Sequence, residues 1–247
     1  MRYDMTQQST PLSNEAPQLN PKLDRATLAR EFSARGRINI QDVLTQSSAE
    51  RIYHCLREET PYGLSLNTDG NARGLRNLTP EQQQEHRNRA WGQVGLDGFQ
   101  FLFDQHQMSL NGEPYADQTH YLAKVMSFLN SSAFLEFARQ VTGLAKIEFA
   151  DAQATLYRSG HFLTAHDDDT PGDNRLAAYV LSLTAAWRPE WGGILEFIDE
   201  RSQISEGYVP GFNSLRLFQV PMTHHVSIVA PFALVGRYAI TGWLRGR

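Results

Sequence analysis

The sequence predicts an α+β domain in which a helical N-terminal layer covers one C-terminal β-barrel. From residue 146 onward short apolar segments recur at 148–157, 162–166, 176–184, 193–198, 214–218, 224–230 and 237–244, with turn residues between them. Many short strands punctuated by Gly and Pro indicate a sandwich or barrel. Before residue 146 the apolar spacing is mostly helical and the helix ends carry caps. No internal repeat and no linker divides the halves. One domain is therefore expected over 21–247, helical over 21–145 and barrel over 146–247, behind a disordered polar tail over 1–20.

Taken in order, Asp24 is placed to cap a helix running to Ala34 and stopped by Gly36, since an aspartate accepts from free N–H groups and glycine tolerates the left-handed turn. Residues 37–44 alternate as a short strand. Ser47 and Glu50 have the spacing of a capping box, opening a helix with Ile52, Tyr53, Cys55 and Leu56 on its apolar face. Residues 61–80, with Gly63, Gly70 and Gly74 among Asn and Asp, read as a long loop, either plain surface or a lid. A polar helix follows over 80–90, with Pro80 in its first turn. Phe99, Phe101 and Phe103 then alternate along a strand, and core packing is the reading favoured for them. Two helices are expected over 117–130 and 132–142, the second capped by Ser131 or Ser132 and ended by Gly143.

Composition removes several function classes. The 247 residues hold 27 acidic and 23 basic side chains, for a formal charge of -4. No basic run of the kind that binds nucleic acid stands out. The one cysteine, Cys55, allows no disulfide within the chain and fits a reducing compartment. No stretch reaches the ~18 apolar residues of a membrane span. The N-terminus has no apolar core of a signal peptide. The expected location is the cytoplasm, with no membrane or nucleic-acid partner.

Chemistry concentrates around His166-Asp167-Asp168-Asp169. On a strand, His166 and Asp168 share a face and can grip one ion from one side. Alone, a His-x-Asp pair is usually a hydrogen-bonded surface pair. A third ligand is offered by His224 or His225, both polar at the head of an apolar segment. Alternation puts His224 on the face of Val226 and Ile228, and His225 on the other, towards solvent. Two histidines and one carboxylate with open positions form the facial triad of non-haem Fe(II) sites. Downstream, Arg237 stands among Ala, Ile, Gly and Trp. An unpaired arginine is rarely buried, so it faces solvent or meets an anion inside, where Thr241 on the same face adds a hydroxyl. With that arginine in place, His224 is the preferred third ligand. A zinc structural site is disfavoured by the lone cysteine.

Over residues 148–244 the sequence resembles the Fe(II)- and 2-oxoglutarate-dependent dioxygenases, in their prolyl 4-hydroxylase-like branch. The motifs that carry the resemblance are Tyr157-x-x-Gly160, His166-x-Asp168, Arg175 before Tyr-Val-Leu-Ser-Leu, and Gly192-Gly193-x-Leu195-x-Phe197. His224-x-Val226-x-x-Val229 and Arg237-Tyr238-Ala239-Ile240-Thr241-Gly242-Trp243 complete them. The resemblance implies a double-stranded β-helix (a jelly-roll, cupin-like barrel). It also implies Fe(II) on His166, Asp168 and His224, and 2-oxoglutarate with its distal carboxylate on Arg237.

Tyr157 matches a family tyrosine near the co-substrate, and Ser182 stands where relatives often carry another tyrosine. Ascorbate would be an additional reductant. The implied activity is hydroxylation of an unactivated C–H bond, of a prolyl residue in a protein or a free amino acid, with dioxygen consumed and succinate and carbon dioxide released. Related halogenases replace the carboxylate ligand with a small residue, and Asp168 is retained. Relatives that demethylate nucleic acid carry a second arginine six residues after the first, where this chain has Trp243. The rival from another class is a non-catalytic barrel that binds a small molecule or a protein partner.

Overall fold

The computed structural model describes residues 14–68, 71–94, 98–110, 113–114 and 117–247. Its strands are β1 (Arg37–Gln41), β2 (Gly63–Thr68), β3 (Asn71–Leu75), β4 (Phe101–Gln107), β5 (Ser109–Leu110), β6 (Glu113–Pro114), β7 (Phe149–Ala150) and β8 (Gln153–Tyr157). There follow β9 (Phe162–His166), β10 (Arg175–Ser182), β11 (Leu195–Ile198), β12 (Ile204–Tyr208), β13 (Ser214–Gln219), β14 (His224–Val226) and β15 (Arg237–Arg245). The helices are α1 (Arg25–Arg35), α2 (Gln46–His54), α3 (Pro80–Gln93), α4 (Tyr121–Leu129) and α5 (Ser132–Thr142).

All strands but β5 and β6 join one sheet, ordered β1-β13-β10-β15-β8-β4-β9-β14-β11-β12, with β2 beside β4, β3 beside β2 and β7 beside β15. The pairings are antiparallel. The sheet folds over on itself as a nearly closed barrel, the double-stranded β-helix. β10 is buried on both faces. Ala177, Tyr179 and Leu181 join the core formed with α1, α2, α4 and α5, while Ala178 and Val180 join the cluster inside the barrel. Phe134 and Phe137 of α5 and Leu122 and Val125 of α4 fill the outer layer. Truncating one such phenylalanine costs ~3–5 kcal/mol.

Caps define the helices as their residues dictate. Asp24 accepts from the Thr27 N–H at 3.2 Å, and left-handed Gly36 returns its N–H to Phe32 at 2.7 Å. Ser131 caps α5 and Gly143 ends it. The Ser47 capping box does not form. Helix α2 starts two residues earlier, behind Thr45, whose hydroxyl goes to Ser48 at 2.8 Å.

The N-terminal half is more than a helical layer. β1 extends the sheet beyond β13, and the segment expected as a loop over 61–80 contains the β2–β3 hairpin, paired Leu64↔Leu75 and joined to β4. Glycine and asparagine hide the alternation there, yet Leu64 and Leu66 bury against Leu102, Phe162 and Ala90. The disordered tail expected over 1–20 lies outside the described residues as far as 13. Residues 14–20 dock instead, Leu19 bridging to Leu44 and the Tyr121 hydroxyl donating to the Glu15 carbonyl at 3.0 Å. The strand expected over 148–157 breaks into β7 and β8 where Asn130 donates to the Ala150 carbonyl at 3.0 Å. That expected over 224–230 ends at Val226. Among the described residues no helix is long and apolar enough to cross a membrane.

Candidate metal centre

β9 and β14 are hydrogen-bonded neighbours with His166 opposite His224. The two rings lie 4.2 Å apart between centroids. β9 ends at His166, so Asp168 reaches the site from the following turn and not from the strand face the sequence suggested. Its φ of 66° is a left-handed conformation costing a β-carbon residue roughly 1–2 kcal/mol, and here it turns the carboxylate back towards the imidazoles. His166 Nε2 is 3.4 Å from Asp168 Oδ1, and His224 Nε2 is 3.6 Å from Asp168 Oδ2. One ligand atom from each of the three residues lies within 4.8 Å of the others.

The tautomers follow from the backbone. His166 Nδ1 is 3.0 Å from the Thr164 carbonyl and His224 Nδ1 is 2.7 Å from the Met222 carbonyl. A carbonyl only accepts, so each Nδ1 carries the hydrogen. In a neutral ring Nε2 then presents a lone pair. Both lone pairs face a carboxylate, and only a positive charge reconciles them, either a proton or a cation among the three atoms. Burial and the neighbouring His166 push the His224 pKa down to about 4 against the pull of Asp168. That ring is therefore neutral near pH 7. Burial alone would raise the Asp168 carboxyl, and it lies below its ordinary value through the hydrogen bond and charges that protonated His166 and His224 would supply.

Neighbouring side chains hold this geometry. Phe99 lies tilted against His166 at 4.6 Å between centroids, and Phe218 packs edge-on 4.6 Å from His224. Arg175 donates to the Asp168 carbonyl at 3.2 Å, pairs with Asp173 at 2.7 Å and lies 3.7 Å over the Trp243 ring. The Trp243 indole N–H favours charged Asp168, although it makes no hydrogen bond of good geometry. The sequence reading assigned Arg175 and Trp243 no such clamp, because nothing in their spacing reveals which turn they will brace. His225 points the other way and pairs with Glu196 at 2.8 Å.

A cavity of about 520 Å3 runs from the His166–Asp168–His224 cluster into the barrel. Phe99, Phe101, Phe103 and Tyr157 form one wall, with successive centroids 5.4, 5.2 and 5.1 Å apart. The packing role expected for these phenylalanines is thus joined to lining the cavity, and Phe99 is 41% exposed at its mouth. Deeper in, Arg237 is only 2% exposed, sits 4.8 Å over the Tyr157 ring, and has an unpartnered Nε. Gly193 leaves room for its stem, since a β-carbon there would lie 3.3 Å from Arg237 Cδ. Thr241 lines the same cavity and accepts from Gln153 at 3.2 Å. Ser182 does not line it. Its hydroxyl donates to the Gly211 carbonyl at 2.7 Å and accepts the Gly211 N–H at 3.3 Å.

A second grouping of Cys55, Glu59 and His120 is already committed. His120 accepts the Leu122 N–H and donates to the Glu59 carbonyl, Arg51 binds Glu59, and burial followed by the Glu59 charge pushes the Cys55 thiol up to about 12.

Residues 152–245 match the model of the 2OG-Fe(II) oxygenase superfamily. No curated protein sequence matches the chain. Similar solved structures include an oxidoreductase of the 2OG-Fe(II) oxygenase family from Burkholderia pseudomallei, at 12% identity and TM-score 0.63, covering 93% of this chain and 95% of that one. A prolyl hydroxylase from Trichoplax adhaerens, in complex with a hypoxia inducible factor peptide fragment, has 16% identity and TM-score 0.60 over 90% and 89% of the two chains. A Pseudomonas putida prolyl-4-hydroxylase has 16% identity and TM-score 0.53 over 90% and 99%. At these identities the likeness is one of fold. The Fe(II) that the superfamily carries suits the donor set, with two imidazole lone pairs and one carboxylate held on one side of an open cavity.

Proposed function

We propose, for a chain whose barrel segment is that of a 2OG-Fe(II) oxygenase, that it is a 2-oxoglutarate-dependent dioxygenase built on His166, Asp168, His224 and Arg237. One observation carries the assignment of residues. Two Nε2 lone pairs and a carboxylate converge at the cavity mouth, and Arg237, its Nε unpartnered among the described residues, is buried further in. These are the two ends needed by a ligand that chelates a metal and terminates in a carboxylate.

Iron bound there supplies, with 2-oxoglutarate and dioxygen, the oxidation of an unactivated C–H bond as the keto acid is converted to succinate and carbon dioxide. His166 and His224 hold it through Nε2, in the tautomer that their backbone carbonyl partners enforce. Asp168 supplies the anionic ligand, and Arg175 braces its turn. Arg237 fixes the distal carboxylate by charge-assisted hydrogen bonds, with Thr241 and Tyr157 beside it. The aromatic wall excludes water and presents an apolar surface to the substrate carbon. Ser182 acts on the co-substrate only through the strand it anchors.

The hydroxylated group in this reading is a prolyl residue of a protein or a free amino acid, suggested by the prolyl hydroxylases among the similar folds and by Phe99 and Phe101 at the mouth. Ascorbate serves as the reductant that keeps iron ferrous, and the cytoplasm is the compartment. Iron-dependent conversion of 2-oxoglutarate to succinate, measured with and without proline-containing peptides and free proline, tests the proposal. Stimulation by one of these is expected. A barrel that neither binds nor turns over 2-oxoglutarate would return the chain to the class of binding modules.

A further inference from the structure

Strand β15 faces the cavity with Arg237, Thr241 and Trp243 in that order, as alternation requires. The Trp243 indole stands beside Asp168 and beneath Arg175. Thr241 is therefore the polar side chain of this strand between the metal cluster and Arg237. A ligand that chelates a metal at one end and pairs with Arg237 at the other passes its hydroxyl.

One neighbour sets the direction of that hydroxyl. Gln153, opposite Thr241 on β8, also lines the cavity, and its Nε2 donates to Thr241 Oγ1 at 3.2 Å. A threonine hydroxyl rotates, and can donate or accept. With an amide N–H already on its oxygen, the Thr241 hydrogen turns away from Gln153, and among the described residues no protein acceptor receives it. Other neutral polar groups of this wall are committed. The Thr155 hydroxyl donates to the Ala239 carbonyl at 3.3 Å, and the Gln105 amide donates to Gln107 at 2.8 Å. Gly242 permits the pairing, because a β-carbon there would collide with the Asp151 carbonyl and push β15 away from the start of β8.

We propose that Gln153 is a positioning residue for the co-substrate, holding the Thr241 hydroxyl as a donor aimed into the cavity, where a carboxylate oxygen of the keto acid accepts it. This rests on the oxygenase reading. Gln153 acts through Thr241, so its effect must vanish when the hydroxyl is removed. The test is calorimetric binding of 2-oxoglutarate to the Mn(II)-loaded protein without oxygen. Thr241→Val is expected to weaken binding about tenfold, as a hydrogen bond to a charged acceptor is lost. Gln153→Met, which keeps the side-chain length but not the amide, leaves the hydroxyl to be ordered by the ligand and is expected to weaken binding about fivefold. The double variant is expected to bind no more weakly than Thr241→Val alone. In a Thr241→Ser background, which keeps the hydroxyl, Gln153→Met is expected to weaken binding about fivefold again.

Losses that add in the double variant would mean that Gln153 acts independently of Thr241, and would overturn the proposal. So would a Thr241→Val protein that binds 2-oxoglutarate as tightly as the wild type, a result that does not depend on how Gln153 variants fold. Mn(II) affinity is expected to hold in every variant. A merely structural Gln153 would lower it in step with 2-oxoglutarate affinity, which also refutes the positioning role. A wild type that binds no 2-oxoglutarate would remove the oxygenase reading itself, whereas normal wild-type binding with additive losses removes only the role of Gln153.

Discussion

The mouth and the depth of the barrel interior present opposite electrostatic problems. At the mouth, His166 and His224 direct lone pairs at Asp168, an arrangement that calls for a cation. In the depth, Arg237 is buried with its Nε unpartnered, an arrangement that calls for an anion. Neither end is what a chain selected only for stability would keep, because apolar replacements of buried charges are often neutral or stabilising. The cavity is thus polarised along its length. On the proposed function its ligand is specified by a metal-chelating end and an anionic end, more than by the volume between them.

The most severe way to break the mouth is His166→Ala. Loss of a metal ligand is expected to abolish turnover by at least about a thousandfold, and metal titration of the variant should show no stoichiometric site; retained affinity would place the metal elsewhere. At the other end, Arg237→Met should raise the 2-oxoglutarate concentration needed for half-maximal succinate formation about a hundredfold while Mn(II) affinity holds. An unchanged requirement would remove Arg237 from its role.

A smaller effect separates support from ligation. Arg175→Ala frees the Asp168 turn and should weaken Mn(II) binding about tenfold, in the range for groups behind a metal ligand, without altering the arginine end. If Mn(II) binding is untouched, Arg175 braces nothing.

The smallest effect sharpens the mouth in the metal-free protein. Burial holds His224 at about 4, and His161 at about 4 with burial again the leading cause. The unfolded chain takes up protons near the ordinary value of 6.5 while the folded chain resists them. Stability contributed by keeping these rings neutral is present above pH 6.5 and declines as pH falls from 6.5 towards 4, by roughly 3 kcal/mol per histidine at most. Urea unfolding near pH 7 and near pH 5 should show the decline, and a flat profile would contradict the two burials.

Much of this was legible in the sequence. The apolar segments of β10, β13 and β15 read as strands because they bury both faces, and Arg237 was conspicuous among them. The polar strands were not legible. β12 buries little beyond Tyr208, and the glycines of β2 and β3 obscured a hairpin that only its partner β4 makes obligatory. Arg216, buried mid-strand in β13 with Nε and Nη1 unpartnered, is likewise a charge inside an apolar strand (Ser-Leu-Arg-Leu-Phe), and the reasoning that exposed Arg237 would have found its burial. The left-handed turn at Asp168 and its clamp by Arg175 and Trp243 arise from tertiary contacts that no local pattern encodes.

The polarised cavity is tested most directly by a crystal grown without oxygen in the presence of Mn(II) and 2-oxoglutarate. The metal is expected bonded to His166 Nε2, His224 Nε2 and an Asp168 oxygen, chelated by the keto acid, with the distal carboxylate on the Arg237 guanidinium. A metal bound away from these three residues, or a keto acid whose far carboxylate points to the mouth, would contradict it.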